Sequence, residues 1–191
     1  MHAPTKYRLG VGIVLVNRQG LIFAGQRRDG RLPPWQMPQG GLQPGETPAE
    51  AAGRELEEEL GTSHAEVIEV FPEWLRYDYP EGFKARRAQC FRGQQHLWFL
   101  MRFTGRDCDI GVAGSHAEFE AWQWMRPPEV VDAVVAFKRK VYREVIAYFA
   151  PSVVAVAAGT GQNGGAMRRL AGRAGRSGAV SLDPRGKQPN P

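Results

Sequence analysis

Gly40-Gly-Leu-Gln-Pro-Gly-Glu-Thr-Pro-Ala-Glu-Ala-Ala-Gly-Arg-Glu-Leu-Glu-Glu-Glu-Leu-Gly-Thr62 runs from a turn-rich loop into a short, densely acidic segment. Thr47 suits an N-cap and Pro48 the first helical position, and Gly61 can close the helix in a left-handed conformation. At about 100° per residue, Ala49, Ala52, Gly53, Leu56 and Leu60 share one face, the expected buried stripe. Glu55, Glu58 and Glu59 gather beside that stripe, because residue 55 lies three and four positions from the other two. Glu57 points away from them, and Arg54, four residues before Glu58, is placed to hold that carboxylate. Like charges at this spacing repel, and a bound cation removes the repulsion. Hard oxygen ligands gathered in this way suit Mg²⁺ or Mn²⁺, ions that commonly serve phosphate chemistry. A solvated acidic helix face is the commonest meaning of a glutamate run, but here it would also have to explain the Gly-Gly-x-x-Pro-Gly-Glu loop and the lone Arg54.

The segment resembles the box of the Nudix hydrolase family, Gly-x5-Glu-x7-Arg-Glu-U-x-Glu-Glu-x-Gly-U, where U is a bulky apolar residue. Gly40, Glu46, Arg54, Glu55, Leu56, Glu58, Glu59 and Gly61 occupy its fixed positions, and Thr62 departs from the last U. The resemblance implies an α/β/α sandwich around a central mixed sheet, an α/β fold with the box as a loop and helix packed on that sheet. It also implies divalent cations, Mg²⁺ with Mn²⁺ or Zn²⁺ as alternatives, that activate water against a phosphoric anhydride.

Outside the box, the resemblance extends over residues 6–150 and narrows to the bacterial RNA pyrophosphohydrolases and the related asymmetric diadenosine polyphosphate hydrolases. It is carried by Tyr7-Arg8, Val11-Gly-Ile-Val14, Asn17-Arg-Gln-Gly20, Trp35-Gln-Met-Pro-Gln-Gly-Gly41, Trp74-Leu-Arg-Tyr77, Trp98-Phe-Leu100, Glu118-Phe119, Trp122-Gln-Trp124 and Phe137-Lys-Arg-Lys-Val-Tyr142. By position, Glu55, Glu58 and Glu59 match the metal-binding carboxylates, Gly40 a backbone carbonyl ligand, and Glu118 a distant carboxylate that joins the metal cluster. Arg8 and Arg27 match residues that contact the substrate's phosphates or base, and Phe137 and Lys138 a stacking aromatic and its basic neighbour. Read without the family, Glu118 is a surface residue before a strand, Phe137 is helix core and Lys138 is a solvated or snorkelling lysine. Leu9-Gly10 and Ala117 stand where the branch carries prolines.

The implied reaction converts 5′-triphosphate RNA to 5′-monophosphate RNA, with release of pyrophosphate, and so promotes mRNA decay. Glu55 or Glu118 is the base, and Arg8 and Arg27 neutralise charge on the phosphates. Hydrolysis of diadenosine tetra- or pentaphosphate with ATP among the products uses the same site. A catalytically inactive Nudix module that binds RNA or protein is the alternative of another class, and the intact carboxylates oppose it.

Composition fits one catalytic domain followed by a tail. The chain has 191 residues, 42% of them hydrophobic. Residues 1–150 carry 19 basic and 19 acidic side chains, so the formal net charge of +5 belongs to residues 151–191. That tail, with Arg168, Arg169, Arg173 and Arg176 among glycines, has the composition of a disordered segment. It either adds phosphate contacts to RNA or is a neutral extension, and the neutral reading is preferred. Lys84, Arg86 and Arg87 fall in a long loop that either follows an RNA backbone or is solvated. Cys90 and Cys108 have no metal-ligand spacing and are expected to be buried or half-buried thiols in the cytoplasm. No run of about 18 apolar residues exists, so no membrane span is expected.

For the remaining elements, residues 12–16 and 21–24 read as strands joined by a turn at 17–20. Residues 64–75, 94–103 and 119–124 also read as strands. Pro127-Pro128 opens a final helix with Val131, Val134, Val135, Lys138, Val141, Tyr142, Val145 and Phe149 at helical spacing, and Pro151 is expected to end it.

Overall fold

The computed structural model describes residues 6–28, 35–83, 90–112 and 118–160. Two apolar runs build its centre. Strand β1 (Tyr7–Val16) and strand β7 (Gly93–Phe103) lie parallel, in register from Tyr7 opposite Gly93 to Val16 opposite Arg102. Both are buried on two sides for much of their length, which is why they read as continuous apolar runs rather than alternating ones. Every other pairing is antiparallel. Strand β2 (Ile22–Arg27) joins β1, β3 (Trp35–Gln36) and β8 (Phe119–Met125). The short β4 (Gln39–Gly41) lies against β1, while β5 (Ala65–Val70) and β6 (Leu75–Asp78) lie against β7. The turn between β1 and β2 is set by Asn17, whose Oδ1 accepts from the amides of Gln19 and Leu21 at 3.0 Å each.

Helix α1 (Pro48–Leu60) covers one face of the sheet, through Ala51, Ala52, Leu56 and Leu60 packed on Val11, Ile13, Leu15 and Phe99. Helix α3 (Arg139–Ala157), with the short α2 (Pro127–Ala133), covers the other, through Tyr142, Val145 and Phe149 packed on Val14, Val16, Trp98 and Leu100. The expected α/β/α sandwich with a mixed central sheet is the observed one.

Several local expectations are corrected. The buried face of α1 is rotated: Ala49 and Gly53 are exposed, and Glu55 and Glu59 are buried in their place. The single strand expected over 64–75 is β5 alone, ending at Val70, and β6 begins at Leu75 after a break that holds Pro72. The helix opened by Pro127-Pro128 stops at Ala133, a 3₁₀ turn spans Ala136–Lys138, and α3 follows. Pro151 does not end α3, which runs on to Ala157, so a boundary at 150 falls inside a helix. Cys90 and Cys108 are exposed rather than buried, the latter in a surface 3₁₀ turn at Asp107–Asp109. Thr62 is buried, and its hydroxyl accepts from the His64 amide at 3.2 Å. Lys84, Arg86, Arg87, Ala117 and the basic tail from 161 onward lie outside the described residues. Among the described residues no helix is long and apolar enough to cross a membrane.

Candidate active site

Helix α1 is fixed at both ends by its own sequence. The Thr47 hydroxyl accepts from the Glu50 amide at 3.3 Å, and the Glu50 carboxylate accepts from the Thr47 amide at 2.8 Å, a reciprocal capping box. At the other end Gly61 adopts φ +66°, a conformation that L side chains rarely take, and its amide reaches the Glu57 carbonyl. These caps set the rotation of the helix, and the rotation aims three glutamates at the loop before it.

Arg54 then organises that loop. Its guanidinium donates to both Glu46 oxygens (2.7 and 3.0 Å), to Glu55 Oε1 and Glu58 Oε2 (2.9 Å each) and to the Gly41 carbonyl (3.0 Å). The Glu58 contact expected from spacing is present, together with three further partners. Hydrogen bonding to Glu46 is the main reason that the Arg54 pKa is raised. In return, Arg54 and the Gln43 amide hold the Glu46 carboxyl below its ordinary range. Glu46 thus ties the loop to the helix, and Leu56 is buried beneath.

Glu55 and Glu59 face the opposite constraint. Burial raises the pKa of Glu55, against the pull of Arg54. Burial raises Glu59 further, reinforced by the negative charge of Glu118. Glu59 Oε2 accepts only a long 3.3 Å bond from the Gln39 amide. Among the described residues its Oε1 has no hydrogen-bond partner, nor has the buried Oε1 of Gln39. Gly40 lies where the Glu55 carboxylate crosses β4, and any side chain on it would collide with that carboxylate. Gly41 is overlain in the same way by the guanidinium of Arg8.

Arg8, Gly40, Arg54, Glu55, Glu58, Glu59 and Glu118 line one cavity of about 340 Å³. Seven of the expected site residues therefore meet. Arg27, Phe137 and Lys138 are not part of its lining, but Arg27 and Lys138 are linked to Glu118 by one buried side chain, Gln36. Arg27 pairs with Glu118 at 3.0 Å. Lys138 is buried rather than solvated, donates to Gln36 Oε1 at 3.0 Å and stands 5.5 Å from the centre of the Tyr77 ring. Phe137 is half-buried, its ring 5.6 Å from Tyr77 and 5.5 Å from Phe83, with Tyr79 stacked on Phe83 at 5.0 Å. Gln36 and Gln39 were not singled out by the sequence reading. Their signal is two glutamines flanking Met37-Pro38 in a stretch otherwise too apolar to leave an amide at the surface.

The residues fit a hard divalent cation. The donor set is all oxygen, two buried oxygens lack a donor, and burial with neighbouring negative charge opposes ionisation of Glu59 unless a cation offsets it. Among the described residues no three such side chains converge as a finished ligand set; their oxygens are engaged by Arg54, Arg27 and Gln36.

Comparison with known proteins agrees with this geometry. Residues 6–145 match the NUDIX domain. An RNA pyrophosphohydrolase from Cereibacter sphaeroides is 51% identical over 148 residues, 76% of this chain and 91% of the relative. One from Erythrobacter litoralis is 49% identical over 153 residues, 78% of this chain and 93% of the relative. Among solved structures, the Escherichia coli dihydroneopterin triphosphate pyrophosphohydrolase superposes with a TM-score of 0.60 at 20% identity, covering 75% of this chain and 99% of its own. A Caenorhabditis elegans Ap4A hydrolase complex gives 0.56 at 20% identity, covering 75% and 98%. These two share the fold. With the box helix, its caps and its arginine clamp in place, the chain belongs to the Nudix family.

Proposed function

We propose that this chain hydrolyses the 5′-triphosphate of RNA to a 5′-monophosphate and pyrophosphate. The observation that carries the reading is the single cavity in which Glu55, Glu58, Glu59 and Glu118 face Arg8. Anions and carboxylates share such a space only when positive charge stands between them. A bound Mg²⁺ or Mn²⁺ would supply that charge and would lower the pKa of a water, whose proton Glu55 or Glu118 could take to leave hydroxide as the nucleophile. Glu55, Glu58, Glu59 and Glu118 would hold the ion, with the Gly40 carbonyl beside them.

The chain's own groups do the rest. Arg54 neutralises Glu46 and steadies Glu55 and Glu58, so the acidic face is ordered before substrate arrives. Arg8, across the cavity, is placed to take phosphate oxygens. Arg27 carries charge that is exchangeable between Glu118 and phosphate. The half-buried Phe137 ring offers a face on which a base can stack with little sequence preference. Relatives named RNA pyrophosphohydrolase, at 44–51% identity, support RNA over a dinucleoside polyphosphate as substrate.

The test compares initial rates on a triphosphorylated oligonucleotide and on diadenosine tetraphosphate, at matched concentrations with Mg²⁺. Faster release of pyrophosphate from the RNA is expected, and Glu55→Gln should remove it. A strong preference for the dinucleotide would reverse the assignment. Product formation unchanged in Glu55→Gln would place the chemistry elsewhere.

A further inference from the structure

We propose that Gln36 is a positioning residue, whose buried amide holds Glu118 at the cavity and ties that carboxylate to Lys138. The proposal rests on the reading of Glu118 as a metal-binding carboxylate.

Gln36 closes the two-residue strand β3 opposite Gly25 and is 1% exposed. Three charged groups from three separate elements meet its side chain. Lys138, from the turn before α3, donates to Oε1 at 3.0 Å, and Arg27, at the end of β2, approaches the same oxygen at 3.5 Å. On the other side Nε2 donates to Glu118 Oε1 at 3.2 Å. Neither an ammonium nor a guanidinium can accept a hydrogen bond, so both cations must face the amide oxygen. The amide orientation is then forced: its NH₂ group can point only at Glu118.

Charge balance explains why an amide suits this place. Among the described residues, the partners of Glu118 include a cation, Arg27, and a neutral amide, Gln36. The arginine cancels the charge of the carboxylate and is the group that substrate phosphates would draw away. A neutral donor holds the carboxylate without cancelling its charge, so Glu118 stays both fixed and anionic when Arg27 leaves. Partners of this kind typically alter metal affinity about 10–100-fold when removed. The same amide makes Lys138, next to the Phe137 ring, mechanically continuous with the carboxylate.

The test reads Mn²⁺ binding to the full chain without substrate, by the electron paramagnetic resonance signal of the free ion. Gln36→Met, close in volume, should weaken binding about tenfold. Because it also removes the Gln36 acceptor from the buried Lys138 ammonium, the double variant Gln36→Met/Lys138→Met is measured beside it. That protein should melt near the wild-type temperature and show the same loss. Glu118→Gln should weaken Mn²⁺ binding by itself, and adding Gln36→Met should then cost nothing more.

Unchanged Mn²⁺ affinity in both Gln36 variants would overturn the proposal. So would a Gln36→Met loss that is just as large in the Glu118→Gln background, or a Glu118→Gln protein that binds Mn²⁺ normally. None of these readings uses RNA. A chain that fails on triphosphorylated RNA yet shows the Mn²⁺ coupling defeats the proposed function and keeps this inference.

Discussion

Beneath α1 the sheet buries carboxyl groups, Glu55 and Glu59; on its α3 side it buries nitrogen cations or bases, Lys138 and His96. His96 shares that side with Trp98, two residues along β7, which packs on Tyr142 of α3. Burial opposes charge on both sides: it raises Glu59, and with Lys138 and Arg8 nearby it pushes His96 down to about 3. The helices differ as well. Helix α1 is capped by its own residues at both ends, whereas α3 has no side-chain cap and carries a proline inside. On the proposed function the α1 side pays in stability for groups that the chemistry needs charged, while the α3 side keeps its histidine neutral and its lysine bonded. One side is a site under electrostatic tension and the other is support.

The sharpest way to break this contrast is Glu59→Gln. If α1 holds the chemistry, kcat should fall about 10³-fold, the size of several kcal/mol of lost charge stabilisation. In chelator, the same variant should melt higher than wild type, because its buried carboxylate is gone. A variant that turns over normally, or melts lower in chelator, would show Glu59 to be a structural acid like any other.

Arg54→Met comes next. It removes donors from Glu46, Glu55 and Glu58 at once, and Glu55 is the buried one of the three. Unfolding by urea should show a loss of about 2–3 kcal/mol, the range for hydrogen bonds to charged groups. Mg²⁺ should recover part of that loss. A change below measurement error would make the clamp a surface ion pair of little value.

The α3 side predicts an acid response. His96 is ordinarily protonated below 6.5, and its folded value is about 3. The unfolded chain therefore binds a proton that the folded chain refuses, so stability is full above pH 6.5 and falls as pH drops toward 3. At pH 5 the loss is about 2 kcal/mol. Urea midpoints at pH 7.5 and pH 5 should show a steeper drop for wild type than for His96→Gln. Equal slopes would mean that His96 is protonated in the fold.

The contrast also explains what the sequence disclosed. The ends of helix α1 were legible, because Thr47, Pro48 and Gly61 act within a turn of themselves. The cluster of Glu55, Glu58 and Glu59 followed from the same short-range geometry. Its buried face was misplaced, since apolar periodicity selects Ala49 and Gly53 and cannot choose two glutamates as inward residues. Glu118, Arg27 and Lys138 were given roles by family resemblance alone, and Gln36, within the quoted stretch 35–41, was given none. Their meeting depends on β3, β8 and the start of α3 arriving at one place, across up to 102 residues of chain. The burial of Lys138 is decided in the same way, by an acceptor that no local pattern announces.

Pro151 gives the smallest effect and the finest test. Its ring crowds the Ala147 carbonyl, and it has no amide hydrogen to give. In a helix interior a proline is about 3 kcal/mol less favourable than alanine. The helix continues because Phe149, Val153 and Val156 are buried, and because Ser152 Oγ bonds Glu69 Oε2 at 2.6 Å. Each fully buried valine contributes about 1.5 kcal/mol or more, so two of them match the local cost. Pro151→Ala should therefore stabilise the protein by at least about 1 kcal/mol, after the added freedom of the unfolded chain is subtracted. The melting temperature should rise by at least about 2–4 °C, with turnover unchanged because the site lies with α1. A lower melting temperature would mean that the sheet is shaped to a helix bent at Pro151. Helix α3 would then be specified by its own sequence as tightly as α1 is, and the contrast between the two sides would reduce to charge.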